Sequence, residues 1–344
     1  MRVSTANTGL HLSSRSYYFF RPFIPRSLQI FLRRNLIHMK NAARRSNWPI
    51  DLKAGRLPAM WQGWPGKSRF AFILTHDVDT AAGFDRCLDV LALEKQLGFK
   101  SSFNFVPERY PLRREVLSAV AANGFEVGVH GLKHDGKLYN SYRTFRLRRE
   151  KINSYLSDWQ AVGFRSPSMH HNLGWIQELN IEYDSSTFDT DPFEPQSDGV
   201  QTIFPFWVEG PNSHEGYVEM PYTLPQDFTL FVMLREKTDL IWKKKLEWIV
   251  EKGGLALMNT HPDYMNFASG LPGREQYPVR LYEEFLKYVS REYAGMYWHV
   301  LPKTIARFYK QTHVRFAAYK DTLPPGVPSP DRLRMPDLGL PQEE

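Results

Sequence analysis

The sequence predicts an α/β fold built on a mainly parallel sheet, and two observations carry that prediction. Short apolar runs alternate with longer amphipathic stretches from Phe70 to about residue 312, as strands joined by crossover helices do. Five of the apolar runs end in ionisable residues: Asp77 and Asp79, His130 and His134, Arg165, Asp184, and His261. Parallel α/β sheets place active sites at the C-terminal ends of their strands, so these endings point to one shared site. Alternation alone leaves the sheet either open or closed as a barrel.

Residues 1–14 show little pattern. From Pro25 to Arg45, Leu28, Phe31, Leu32, Leu36 and Met39 recur at helical spacing, with Arg33, Arg34, Lys40 and Arg44 largely elsewhere. Two readings of this helix stay open. It packs on the main domain, across the floor of a barrel, with its arginines solvated, or it lies on an anionic membrane surface or grips a polyanion. Residues 46–69 hold Trp48, Trp61 and Trp64 among Pro and Gly, the composition of an ordered loop. GWPGKS at 63–68 ends like a phosphate loop, but it precedes a strand instead of following one, so it is rejected.

The alternation then predicts strands at 70–75, 101–106, 125–129, 163–165 and 181–183, with helices at 84–97, 113–122, 141–161 and 173–179 between and after them. An excursion at 186–235 reads as loops with strands at 218–220 and 228–234. Helices at 238–252, 279–293 and 303–312 and strands at 255–259 and 296–301 complete the pattern. Gly98, Asn123-Gly124 and Gly253-Gly254 supply helix stops. The predicted organisation is a basic arm with a Trp-rich loop (1–66), a catalytic domain (67–315) and a Pro-rich disordered tail (316–344).

Composition narrows the class. The chain has 344 residues, enough for a large core, and 42% hydrophobic residues, ordinary for a globular protein. Its single cysteine, Cys87, excludes an intrachain disulfide and a cysteine-rich zinc site. Residues 1–50 hold nine of the 44 basic residues and no acidic one, so 35 basic residues face 37 acidic ones in the rest. The net charge of +7 therefore belongs to the arm. No nucleic-acid motif accompanies it. No run reaches the roughly 18 apolar residues of a membrane span, and the N-terminus lacks a signal-peptide pattern. A cytoplasmic protein is expected, with peripheral contact to the inner membrane face through residues 15–45 as the alternative role of the arm.

In FAFILTHDVDT at 70–80, Asp77 and Asp79 lie two apart and share a face if the strand continues. Alone, such a pair serves equally as a helix cap or a metal site. His130 and His134 lie four apart directly after EVGV, so on a helical turn both rings could share an ion. With Asp79 they would form an Asp/His/His set that leaves a coordination position open.

THDVD, EVGVHGLKHDG, FRSP, YDSS and NTHPD, in this order and spacing, resemble the motifs of the polysaccharide deacetylases, the NodB-homology superfamily or carbohydrate esterase family 4. The resemblance covers about residues 70–312. It implies a distorted (β/α) barrel, usually of seven strands, and metal-dependent hydrolysis of a non-peptide carbon–nitrogen bond, commonly N-deacetylation of an amino sugar in a polysaccharide or glycolipid precursor. It implies a divalent metal, zinc, on Asp79, His130 and His134, with Asp77 as general base. Arg165 would orient the base, Asp184 would hold Arg165, and His261 would be the general acid with Asp263 orienting its ring. Val78 between the two aspartates departs from the usual adjacent pair and matches an Asp-x-Asp variant form, and the two roles could be exchanged. Ser168 stands where a tyrosine is usual. Deformylases and cyclic-amide hydrolases share the superfamily, and a non-catalytic carbohydrate-binding protein would be the reading from another class. Two further expectations are weaker. His170 and His171 could reach the site, and Phe204, Phe206, Trp207, Tyr217 and Tyr222 form either a sugar-stacking wall or packing beneath a loop.

Overall fold

A curled sheet organises the protein, seen in a computed structural model that describes residues 25, 28–35, 37, 48–59, 61–210 and 215–321. Its parallel strands are β1 (Phe70–Val78), β2 (Ser101–Phe105), β3 (Glu126–His130), β4 (Gly163–Arg165), β5 (Tyr183–Asp184), β7 (Gly216–Glu219) and β8 (Leu255–Thr260). They run in the order β8-β1-β2-β3-β4-β5-β7, with β6 (Phe206–Glu209) antiparallel beyond β7 and β11 (Tyr297–His299) beside the start of β1. The curl closes where Thr223 N and Leu224 N both donate to Leu257 O at 3.1 Å. The two short strands β9 (Met265–Asn266) and β10 (Tyr277–Pro278) pair separately. This is the expected distorted (β/α) barrel.

Helices α2 (Ala81–Gln96), α3 (Arg114–Ala122), α4 (Tyr142–Asp158), α6 (Leu240–Lys252) and α7 (Arg280–Glu292) fall where the periodicity places them. The one-turn α5 (Leu173–Ile176) is shorter than expected, and α8 (Pro302–Asp321) runs past its expected end near 312. The segment read as a strand at 228–234 is instead a π-helix, Phe228–Met233, in which every residue is buried. A run buried on every side and apolar at all but Thr229 carries no period that separates strand from helix.

The strand pleat sorts side chains into two layers. Along β1, Phe70, Phe72 and Leu74 enter the core between sheet and helices, while Ala71 and Ile73 enter the barrel interior with Leu255, Leu257 and Val218. Thr75 and Asp77 continue the inward row, because alternate residues share a face. His76 faces out and bonds Glu94 of α2 at 2.7 Å and Thr260 Oγ1 at 2.8 Å. The barrel is therefore apolar at its floor and polar at its mouth.

The arm helix, α1 (residues 28–35), packs at the mouth, not the floor. Ile30 and Ile37 join Phe193, Phe228, Val232 and Met233 in one cluster. Arg34 Nε and Nη2 donate to Val232 O at 3.0 and 2.8 Å, and the Arg33 guanidinium lies 5.0 Å over the Phe228 ring. These two arginines are thus held by the domain. Leu28, Phe31 and Leu32, the expected packing stripe, are 45, 58 and 51% exposed. Leu36, Met39, Lys40 and Arg44 lie outside the described residues, as does the tail from 322. Among the described residues, no helix is long and apolar enough to cross a membrane.

Candidate active site

Parallel strands put laterally paired residues on the same face, and this register assembles the site. Asp77 pairs with Asn104, Thr75 with Asn259, and His130 with Arg165. All six are nearly or fully buried, so their polar groups must satisfy one another.

Arg165 is the hub. Its Nε donates to Ser185 O at 2.8 Å, and Nη1 donates to Thr75 Oγ1 at 2.8 Å, Asn259 Oδ1 at 2.5 Å and Asp77 Oδ1 at 3.2 Å. Nη2 donates to Ser185 Oγ. Asp77 also accepts from Asn104 Nδ2 at 3.0 Å and from Asn259 Nδ2 at 2.9 Å. Burial alone would raise the Asp77 carboxyl, but the charges of His130 and then Arg165 outweigh it and lower it to about 2. Asp77 is therefore an oriented, ionised carboxylate.

Asp79, His130 and His134 converge beside it, each offering one ligand atom within 4.8 Å of the others. Asp79 Oδ1 lies 3.4 Å from His130 Nε2 and 3.0 Å from His134 Nε2. His130 Nδ1 sits 3.0 Å from Arg165 O. A carbonyl only accepts, so Nδ1 carries the hydrogen and Nε2 is the ring nitrogen turned toward Asp79. The buried Asp79 Oδ1 accepts no hydrogen bond among the described residues. A cation held between these atoms would satisfy the carboxylate oxygen and both imidazole nitrogens together. One carboxylate and two imidazoles suit a divalent metal of the zinc type. Burial opposes ionisation of Asp79, yet His134 and His130 hold its carboxyl well below the usual range.

His261 follows β8 and caps the site from the other side. Its Nδ1 meets Asp227 Oδ1 at 2.7 Å, while its backbone N–H and the Tyr277 hydroxyl donate to Asp227 Oδ2 at 2.8 and 3.0 Å. Burial would lower the imidazole, but the Asp227 carboxylate outweighs it and raises the ring to about 10. His261 is thus an imidazolium at neutral pH, with charge felt by both Asp77 and Asp79.

Two expected partnerships are corrected. Asp263 does not orient His261. It accepts from Asp79 N at 2.9 Å and Thr80 Oγ1 at 2.5 Å, bracing the turn that presents Asp79. Asp184 does not hold Arg165, because it pairs with Phe164 across β4–β5 and so lies on the opposite face. Ser185, one residue on, takes that role. The aromatic wall is also absent as such: Phe204, Tyr217 and Tyr222 are buried in three separate cores, and Phe206 and Trp207 lie on β6. His170 does approach, lining a small cavity with His134, Leu138 and Pro167. Burial, then His171 and His134, lower its ring to about 4. His171 turns aside to Met169 O at 2.9 Å. Cys87 is fully buried, and burial pushes its thiol up, as expected of an inert residue.

Asn104, Asn259, Thr75, Ser185 and Asp227 were not singled out from the sequence. Asn259 carried a signal, an amide directly after the apolar run LALM, and Asn104 a weaker one, an amide between two phenylalanines in SSFNF. Asp227 carried none, lying inside the excursion between β7 and β8.

No protein-family model matches the sequence, and no curated protein matches it. Solved structures match the fold. A protein described as a polysaccharide deacetylase from Mycobacterium smegmatis aligns at TM-score 0.56 and 19% identity, over 80% of this chain and 99% of that one. The Puue allantoinase aligns at 0.55 and 17%, over 78% and 99%. A protein described as a polysaccharide deacetylase from Pseudomonas aeruginosa PAO1 aligns at 0.52 and 18%, over 73% and 94%. The chain therefore has the polysaccharide deacetylase fold.

If Asp227 sustains the His261 charge, Asp227→Asn returns the ring toward the ordinary imidazole range near 6.5. An NMR titration of the His261 ring should show its midpoint move down by more than one pH unit in this variant. An unmoved midpoint would separate Asp227 from the His261 charge.

Proposed function

We propose that this chain is a metal-dependent hydrolase of a non-peptide carbon–nitrogen bond that removes an N-acyl group, acetyl first, from an amino sugar. The observation that carries this reading is the convergence of Asp79 Oδ1, His130 Nε2 and His134 Nε2 within 4.8 Å, with ionised Asp77 and protonated His261 nearby. A divalent metal bound there, zinc by its donor set, would supply Lewis acidity toward the amide carbonyl.

The chain's own groups divide the proton work. Asp77, locked by Arg165, Asn104 and Asn259, takes the proton from the attacking water. His261, held by Asp227, gives a proton to the departing amine nitrogen, which leaves poorly as an anion. Arg165 touches no solvent and acts through Asp77, so it is a positioning residue. The chain supplies a base and an acid in opposite protonation states, as hydrolysis of an amide requires.

Metal analysis combined with acid-release assays on acetylated, formylated and cyclic amide substrates tests the reading. Wild type should hold about one metal per chain and release acetate from an N-acetyl amino sugar. Asp77→Asn should keep the metal while turnover falls roughly 10²–10⁴-fold, and His134→Ala should lose both. Formate release or ring opening alone would move the bond to a deformylase or cyclic-amide hydrolase. Bound metal with no turnover of any substrate, unchanged in Asp77→Asn, would leave a carbohydrate-binding protein.

The arm fits a substrate presented at an anionic membrane surface, a glycolipid precursor at the cytoplasmic face. Leu28, Phe31 and Leu32 form an exposed apolar face on α1, within a 50-residue segment holding nine basic and no acidic residues. An exposed apolar helix face within a basic, acid-free segment is the composition of a helix lying in a lipid interface. Flotation with vesicles containing anionic phospholipid should recover wild type, and recovery should drop severalfold in Leu28→Ser/Phe31→Ser/Leu32→Ser. Equal flotation of both, or none with anionic vesicles, would end the membrane assignment.

A further inference from the structure

Asp184, freed from any contact with Arg165, meets a second buried acid. Its Cα pairs with that of Glu219 across the parallel β5–β7 ladder, so both side chains rise on the same outer face. Each is 0% exposed. Asp184 Oδ1 accepts from Ser186 Oγ at 2.6 Å, and Glu219 Oε1 accepts from Thr187 N at 3.0 Å and Thr187 Oγ1 at 2.6 Å. The other two oxygens, Asp184 Oδ2 and Glu219 Oε2, accept nothing among the described residues. No lysine or arginine among them pairs with either acid. Two adjacent anions in such a place would be strongly unfavourable. One hydrogen between the orphaned oxygens removes the repulsion and satisfies both atoms.

We propose that Asp184 and Glu219 share a single proton, resident on Glu219 Oε2 and donated to Asp184 Oδ2, and that this pair positions Arg165. Thr187 is tied to Glu219, and Ser186 to Asp184. Ser186 Oγ also accepts from Ser166 N at 2.8 Å. Ser185 between them presents the carbonyl and hydroxyl that fix the Arg165 guanidinium. The positioning role rests on the reading of Arg165 as the group that aims the base; the shared proton does not.

The surroundings agree. Burial, and then the Asp184 charge, push the Glu219 carboxyl well above its usual value. The groups facing the pair are the Tyr139 and Tyr217 phenols and the His171 ring. Burial first, then Asp184, raise both phenols, so they stay neutral.

The folded protein therefore keeps a proton that an unfolded chain releases near the ordinary glutamate value of 4.5. Above that pH the native state binds more protons than the unfolded one, so stability falls as pH rises until Glu219 itself ionises. Glu219→Gln supplies the same hydrogen from an amide and does not titrate. Denaturant unfolding between pH 5 and 8 should show the folding constant of Glu219→Gln gaining on wild type by up to about tenfold per pH unit. Asp184→Asn, which offers Glu219 an amide hydrogen, should flatten the profile in the same sense. In infrared spectra at neutral pH, one protonated-carboxyl C=O band of wild type should vanish in Glu219→Gln. Parallel pH profiles, no such band, or failure of both amide variants to fold would each overturn the proposal. None of these readouts needs a substrate, so they stand apart from the assigned reaction.

Discussion

A fully buried arginine is the constraint on which the rest of the site depends. Arg165 cannot lose its charge, and an unpaired guanidinium inside the barrel would be strongly destabilising. The fold answers with acceptors from three strand ends: Thr75 and Asp77 on β1, Asn259 on β8 and Ser185 after β5, while Asn104 on β2 donates to Asp77. Meeting that requirement fixes Asp77 in place and in charge. In the proposed reaction, structural satisfaction of Arg165 and preorganisation of Asp77 would be one arrangement.

The same register that satisfies Arg165 also gives the two aspartates different surroundings. Asp77 is saturated by donors, whereas Asp79 keeps a buried oxygen without one. His130 links the two halves, since its Nδ1 is spent on the Arg165 carbonyl and its Nε2 faces Asp79. The residue between the aspartates, Val78, points into the outer core and leaves both carboxylates on the inner row. The Asp-x-Asp spacing is thus compatible with a base and a ligand on one continuous strand.

Much of this was legible in the sequence, and the misses share a cause. Strand ends bearing Asp77, Asp79, His130, Arg165 and His261 were marked by an abrupt change from apolar to ionisable residues, which one sequence can show. Which acid meets which base depends on pleat and register across strands distant in sequence. Asp184 was one residue out of phase with the arginine that it was expected to hold, and a shift of one flips the face. Asp227 sits at the head of a π-helix in a fully buried run without readable period. For α1, the stripe of Leu28, Phe31 and Leu32 competes with Ile30 and Ile37 for the domain. The domain's carbonyls and the Phe228 ring, invisible in the local pattern, draw in the arginine side instead.

The central claim is that Asp79, His130 and His134 hold a metal while Asp77 stays outside its ligand set. Anomalous diffraction at the zinc edge, from crystals of the full chain grown with zinc, tests it most directly. The account predicts one strong peak at roughly 2.0–2.2 Å from Asp79 Oδ1, His130 Nε2 and His134 Nε2, with Asp77 still bonded to Arg165, Asn104 and Asn259. A peak bonded to Asp77, or no peak at this site, would contradict it.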